Sequence, residues 1–262
     1  ALLVIGCFGS ACNGASAPGE ESGNASPKVK MFADAVPETA KPIDIGFRDM
    51  NAYTSNDLFC IVSIVDNGMD QWQQIWVKTQ LLDANGNTLA VNGDTSILLQ
   101  TFSDAVPPRG ATALFCAIPL SQVSGVPVNC RLEGAGAITR PPGPILIATG
   151  VGGVRAMYAD KDNPKKIIEK SFNVQAVIEN PLDLMAYHPK MVLLVYGMDY
   201  KLYFAQMVGL DDPKAPVKQE REGPLYPQEK RNISCLVMYD QLPKPLQELL
   251  IGRVEVQVHE AR

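Results

Sequence analysis

The sequence predicts an all-β protein, and three observations carry that expectation. Its apolar residues fall in short runs separated by turn formers, with 20 prolines and 21 glycines in 262 residues. The last run, Val254-Glu255-Val256-Gln257-Val258-His259, alternates apolar and polar side chains with the period of a strand that has one face buried. Segments with helical period are few.

In chain order, the strand candidates are 58–65, 75–82, 113–120, 145–149, 172–178, 191–196, 233–239 and 252–259. Between the second and its return, Asp83-Ala84-Asn85-Gly86-Asn87 is a hairpin turn, because Asn-Gly tolerates positive φ at both turn positions. Only 121–126 and 242–251 suggest a helical turn or a short helix.

Composition bounds the function. The chain is 46% hydrophobic and 19% charged, ordinary for a globular protein and inconsistent with general disorder. Its 23 Lys and Arg against 28 Asp and Glu leave a net charge of −5, so no nucleic-acid partner is expected. The length suits one large domain, or two of about 100–130 residues each.

An internal repeat favours two. Phe59 to Asp70 (FCIVSIVDNGMD) matches Phe172 to Asp183 (FNVQAVIENPLD) without gaps, 113 residues further on. Downstream, Pro107 to Cys116 (PPRGATALFC) matches Tyr226 to Cys235 (YPQEKRNISC), 119 residues further on. A unit of this size made of short strands is that of an immunoglobulin-like sandwich, not of a solenoid repeat. The expected organisation is a tether over 1–28, a first sandwich over 29–139, a proline-rich linker over 140–145 (Arg140-Pro141-Pro142-Gly143-Pro144 at its centre) and a second sandwich over 146–262.

The first residues bear on location. Ala1-Leu2-Leu3-Val4-Ile5-Gly6 is far shorter than the ~20 residues a membrane-spanning helix needs, and matches the tail of a secretory apolar region. Val4-Ile5-Gly6-Cys7 resembles a bacterial lipobox, which implies cleavage before Cys7 and lipid attachment to it. Residues 9–27 are nearly all Gly, Ser, Ala, Asn, Glu and Pro, the composition of a flexible tether. Phe8 rather than Asp after the cysteine resembles outer-membrane sorting. The alternative is a chain that begins at Ala1 and donates residues 1–5 as a strand to a neighbouring subunit, a route to self-assembly.

The strand ending Ile64-Val65-Asp66-Asn67 and the strand closing Thr79-Gln80-Leu81-Leu82-Asp83 before a Gly turn resemble the FxLyD-type immunoglobulin-like domains of bacterial lipoproteins. Thr79 stands where that pattern has Phe, and Leu82 where it has Tyr. The resemblance implies exported, lipid-tethered β-sandwich modules, with no catalytic residues to carry over.

Little chemistry is visible. The only histidines, His188 and His259, have no GxSxG nucleophile motif to serve and are too few for a zinc site. The Asp and Asn turns match no calcium loop, so no metal and no cofactor are expected. None of the six cysteines forms a CxxC. Cys60 and Cys116, both in strand-like runs, are the candidates for a disulfide, with simple burial as thiols the alternative. Trp72 and Trp76, the only tryptophans, are the candidate ligand contacts; exposed, they suit carbohydrate or protein, and otherwise they fill a core. The expected role is noncatalytic: a cell-envelope lipoprotein that scaffolds a protein partner. A carbohydrate-binding lipoprotein using Trp72 and Trp76, or a strand-donating filament subunit, is the alternative.

Overall fold

The structure, a computed structural model, describes residues 40–103, 105–159, 167–209, 223–239 and 242–260. It is all-β, with antiparallel strands throughout. The first group is β1 (Ile45–Ser55), β2 (Leu58–Asn67), β3 (Gln73–Leu82), β4 (Thr88–Leu89), β5 (Ile97–Gln100), β6 (Ala111–Pro119) and β7 (Asn129–Ile138). The second is β8 (Ile147–Ala159), β9 (Ile167–Glu179), β10 (Pro189–Gly197), β11 (Leu202–Gly209), β12 (Lys230–Met238) and β13 (Ile251–Glu260), with one short helix, α1 (Lys244–Leu249).

Four sheets result. Sheet I has the order β1-β2-β6, and sheet II has β3 at its centre with β4, β5 and β7 on its edges. Sheet III is β11-β10-β13 and sheet IV is β12-β9-β8. Three apolar clusters fill the spaces between them. Phe59, Ile61, Val65 and Leu114 of sheet I meet Ile75, Val77 and Leu81 of sheet II. Phe172, Val174 and Ile178 of sheet IV meet Met191, Leu193 and Val195 of sheet III. The third cluster joins the two groups: Val62, Ile64 and Ala113 on the opposite face of sheet I meet Val192, Leu194, Tyr196, Leu202 and Ala205 of sheet III. The order of the stack is therefore II, I, III, IV.

The strand sequences explain that order. A strand buried on both faces must be apolar without interruption, whereas one with a solvent face alternates. β10 carries Met191-Val192-Leu193-Leu194-Val195-Tyr196, every one of them at most 1% exposed. β2 is equally continuous from Phe59 to Val65, broken only by Ser63, whose hydroxyl bonds the carbonyl of Arg48 at 3.1 Å. In sheet IV most of the residues 113 and 119 positions after those on the docking face of sheet I are polar, Val177 in the place of Ile64 being an exception. Asn173 and Gln175 stand for Cys60 and Val62, and Asn232 and Ser234 stand for Ala113 and Phe115. The strand register is the same, Val62 opposite Phe115 and Gln175 opposite Ser234. Sheet IV therefore presents a solvated outer face.

One buried side chain organises the same end of both groups. The Nδ2 of Asn67 donates to the carbonyls of Gln71 (2.9 Å), Val106 (3.2 Å) and Pro107 (2.9 Å), while its Oδ1 accepts the N–H of Met69 at 3.0 Å. Asn180 does the same with Leu184 (2.6 Å), Leu225 (3.3 Å), Tyr226 (3.1 Å) and the N–H of Leu182 (3.3 Å). Backbone details follow suit. Arg109 and Gln228 both have positive φ, 53° and 58°. Each reaches back to an aspartate, Arg109 to Asp70 at 2.7 Å and Gln228 to Asp183 at 3.2 Å. The two asparagines thus occupy equivalent places, as the repeat implies.

Sequence reading missed β1, β5, β7 and β11. β1 is polar and broken by a bulge after Arg48, where Asp49 takes φ 50°. β7 contains Gly134 and Gly136, which sequence alone reads as turn formers. Here a Cβ would fall 2.5 Å from Ile45 and 2.1 Å from Ile43, so glycine lets the β1 segment lie against the strand. The expected helix over 121–126 is a single 3-10 turn, Leu120–Gln122. The connector from β7 to β8 covers 139–146.

Replacing Asn67 or Asn180 by Ala removes the side-chain hydrogen bonds of the clamp; the carbonyls of Val106, Pro107, Leu225 and Tyr226 keep a backbone donor, whereas those of Gln71 and Leu184 lose the amide, at a cost of about 3 kcal/mol for each variant. Urea unfolding of the two variants should show similar losses, because the two clamps are alike.

Candidate functional site

The strongest candidate for a functional surface is the place where the two sheet groups meet. Along the contact, sheet I grips the edge strand β11. The Asn51 side chain donates to the carbonyl of Leu202 at 2.9 Å, and the Tyr53 hydroxyl donates to that of Tyr203. These bonds occupy the open carbonyls of an edge that would otherwise pair with another chain. Two edge-to-face ring pairs flank them, Tyr53–Tyr203 and Phe115–Phe204, each with centroids 5.2 Å apart. Beyond, the Tyr196 hydroxyl donates to Asp49 Oδ2 at 2.9 Å, and the Arg253 guanidinium lies 4.1 Å from the Tyr196 ring centre. The N–H of Lys244 donates to Ser55 Oγ at 2.9 Å. Burial raises the Tyr53 and Tyr196 hydroxyl pKa values, so both stay protonated donors.

At the end of the contact marked by the Asn clamps lies a crevice with about 20 Å³ of free room. Trp72, Ala105 and Pro107 form one wall; Pro144 and Leu146 of the connector and His259 and Glu260 of β13 form the other. Glu260 is 7% exposed. Its Oε1 accepts the N–H groups of Tyr187 at 2.8 Å and His188 at 2.9 Å, fastening the start of β10. The connector passes so close that a Cβ on Gly143 would fall 2.6 Å from Glu260 Cγ. The second carboxylate oxygen, Oε2, and the Nε2 of His259 are buried without a hydrogen-bond partner. Burial lowers the His259 pKa to about 4 and keeps the ring neutral at pH 7.

The residues singled out from sequence separate. Trp72 lines the crevice, whereas Trp76 is half-buried on the outward face of sheet II, opposite Gln100 and Ala135. His188 contributes its backbone N–H to Glu260. Glu260 was not singled out, and only its place at the end of an alternating strand distinguishes it in sequence. Cys7, the tether and residues 1–5 lie outside the described residues.

The expected Cys60–Cys116 disulfide is not formed: Cys60, Cys116, Cys130 and Cys235 are all buried thiols. Cys60 pairs across the ladder with Ala117, and Cys116 with Ile61. Neighbouring positions on a strand face opposite ways, so the two sulfurs lie on opposite faces of sheet I. Cys116 belongs to the cluster between sheets I and II, while Cys60 lies beside Tyr53. Burial pushes the thiols up, Cys60 to about 12 and Cys130 and Cys235 to about 11.

Among the described residues, no group of three or more His, Cys, Asp or Glu is arranged to hold a metal ion, and no helix is long and apolar enough to cross a membrane. Compared with known proteins, the chain matches no protein-family model and no curated protein.

Two pH effects follow. A neutral buried His259 stabilises the fold above its unfolded pKa of about 6.5, and that contribution is lost as pH falls toward about 4. Denaturation midpoints should fall over that window, and His259→Gln should flatten the fall. The raised thiols work at the other end: their contribution is complete below the unfolded thiol pKa of about 8.5 and is lost as pH rises through about 11–12. Mass mapping with an alkylating reagent should find Cys60, Cys116, Cys130 and Cys235 unreactive in the native protein at pH 7 and fully reactive once it is unfolded without reductant.

Proposed function

We propose that the chain is an exported, lipid-anchored envelope protein. Its two immunoglobulin-like sheet pairs, similar to FxLyD-type modules, act as one rigid noncatalytic part that holds or spaces components of an envelope or surface assembly. The observation that carries this reading is the apolar contact between sheets I and III. A spacer transmits position only if its parts keep one orientation. Two sandwiches joined by a connector alone would swing, whereas these are held by the burial of Val62, Ile64, Val192, Leu194 and Leu202, all at 0% exposure. The Tyr53 and Asn51 bonds fix the rotation about that apolar contact. The lipobox-like Val4-Ile5-Gly6-Cys7 and the tether-like composition of 9–27 support an anchor at the membrane. Partner contact then falls to loops and sheet edges rather than to a cleft.

Spin labels at Lys78→Cys on sheet II and Gln175→Cys on sheet IV test the rigid reading, since both positions are exposed. A single narrow distance distribution is expected, and a broad one removes the basis for a spacer. Fractionation of the protein expressed with a full leader in a diderm bacterium tests the anchor. The parent should sediment with membranes and incorporate labelled fatty acid, and Cys7→Ala should do neither.

A further inference from the structure

At the Asn-clamp end, the loops of the second sheet pair carry apolar side chains that the fold does not ask for. Matching hydrogen bonds set the loops of the two copies in register. The carbonyl of Gln71 answers to that of Leu184, the N–H of Met69 to that of Leu182, and the carbonyl of Pro107 to that of Tyr226. The bridges Gln73–Val106 and Ala186–Leu225 are likewise equivalent, which places Gln74 opposite Tyr187 in the comparison. Leu182 (43% exposed), Leu184 and Tyr187 (62% each) and Tyr226 (56%) all stand in solvent. The Ala186–Leu225 bridge holds their two loops side by side. The first copy keeps the same backbone pattern with Gln71 and Gln74, so the leucine and tyrosine in those places serve something other than the turn. Large apolar groups gathered on a surface mark contact with another body.

Three observations say which body. The described chain enters at this end, where Lys41 pairs with Gly136 and Ile45 lies opposite Asn67. Upstream of it are the tether-like 9–27 and the lipobox-like Val4-Ile5-Gly6-Cys7, so an anchor at Cys7 draws this end, rather than the β10–β11 hairpin end, toward the membrane. Leucine tips beside tyrosine rings with a polar hydroxyl are what the boundary between water and hydrocarbon accepts. The charged groups bordering the loops are paired, Glu229 with Arg231 at 3.0 Å and Lys230 with Glu179 at 2.9 Å, so the attraction is apolar and calls for no anionic lipid. We propose that these two loops rest on the neutral surface of a lipid bilayer, with Leu182, Leu184, Tyr187 and Tyr226 inserted among the headgroups. The proposal rests on the anchored reading given above and adds an orientation to it: the clamp end faces the lipid, and the β1–β2 and β10–β11 hairpins point away from it.

The test uses the full chain carrying Cys7→Ala, which leaves no cysteine at the lipobox to acylate, and vesicles of pure phosphatidylcholine. Sedimentation should show saturable binding that sodium chloride does not weaken. Leu184→Gln with Tyr187→Gln installs the residues of the first copy, so the loop should keep its fold. The partition coefficient of that variant should drop at least about tenfold, because two apolar side chains no longer leave water. Met198→Gln with Tyr200→Gln, in the exposed β10–β11 hairpin at the opposite end, should bind as the parent does. Amide exchange should slow over 182–187 and 225–228 when vesicles are added, and not over 198–201. A parent that ignores neutral vesicles, whatever protein it captures, overturns the proposal. So does binding that needs anionic lipid and disappears in salt, an unchanged partition in Leu184→Gln with Tyr187→Gln, or an equal loss in the hairpin variant. Should the loop variant fail to fold, the exchange pattern of the parent still decides it. Because the protein tested here lacks the lipidation cysteine, failure of the anchor leaves the binding face standing, and failure of the face leaves the anchor standing.

Discussion

Burial of the second face of sheet I against sheet III is the constraint from which the architecture follows. Ordinarily the outer face of a sandwich is wet and the strand alternates. Here β2 and β10 carry apolar side chains on both faces, so each sheet pair alone would expose Val62, Ile64, Val192 and Leu194 to water. Their mutual burial sets the stack order, brings the Asn51 and Tyr53 side chains to the edge of β11, and draws the connector across the end of the contact. The hydrogen bonds define orientation; the apolar area, at roughly 25 cal/mol per Å², supplies the attraction.

The equivalence of Asn67 and Asn180 shows what the repeat preserves and what it lets vary. Preserved is the backbone problem: a strand ends, the chain turns, and three carbonyls from two loops converge where only a side-chain amide fits. The partner of the turn is looser. An Arg109–Asp70 ion pair in one copy is a Gln228–Asp183 hydrogen bond in the other, and both lie on the surface where such a pair contributes little. The outward sheet faces diverge most, because one is an internal contact and the other meets solvent.

Glu260 links the structural and chemical readings. One carboxylate oxygen closes the start of β10 within sheet III, while the other is buried without a hydrogen-bond partner. A carboxylate used purely as a fastener would have both oxygens satisfied.

Much was legible in the residues alone. Period-two alternation in 254–259, the Asn-Gly turn and the equal spacing from Phe59 to Asn67 and from Phe172 to Asn180 are local properties, and a strand or a turn needs no more than that. The polarity of Asn173, Gln175, Asn232 and Ser234 was equally readable, though not its meaning, which depends on knowing which face of each copy is covered. Tertiary structure alone decided the rest. The strand ladder put Cys60 and Cys116 on opposite faces, because register depends on pairing and not on composition. Packing across the stack separated Trp72 from Trp76 and brought Glu260, remote in sequence, beside the first sheet pair. Contacts between residues far apart in the chain leave no periodic mark in it, so only the assembled sheets reveal them.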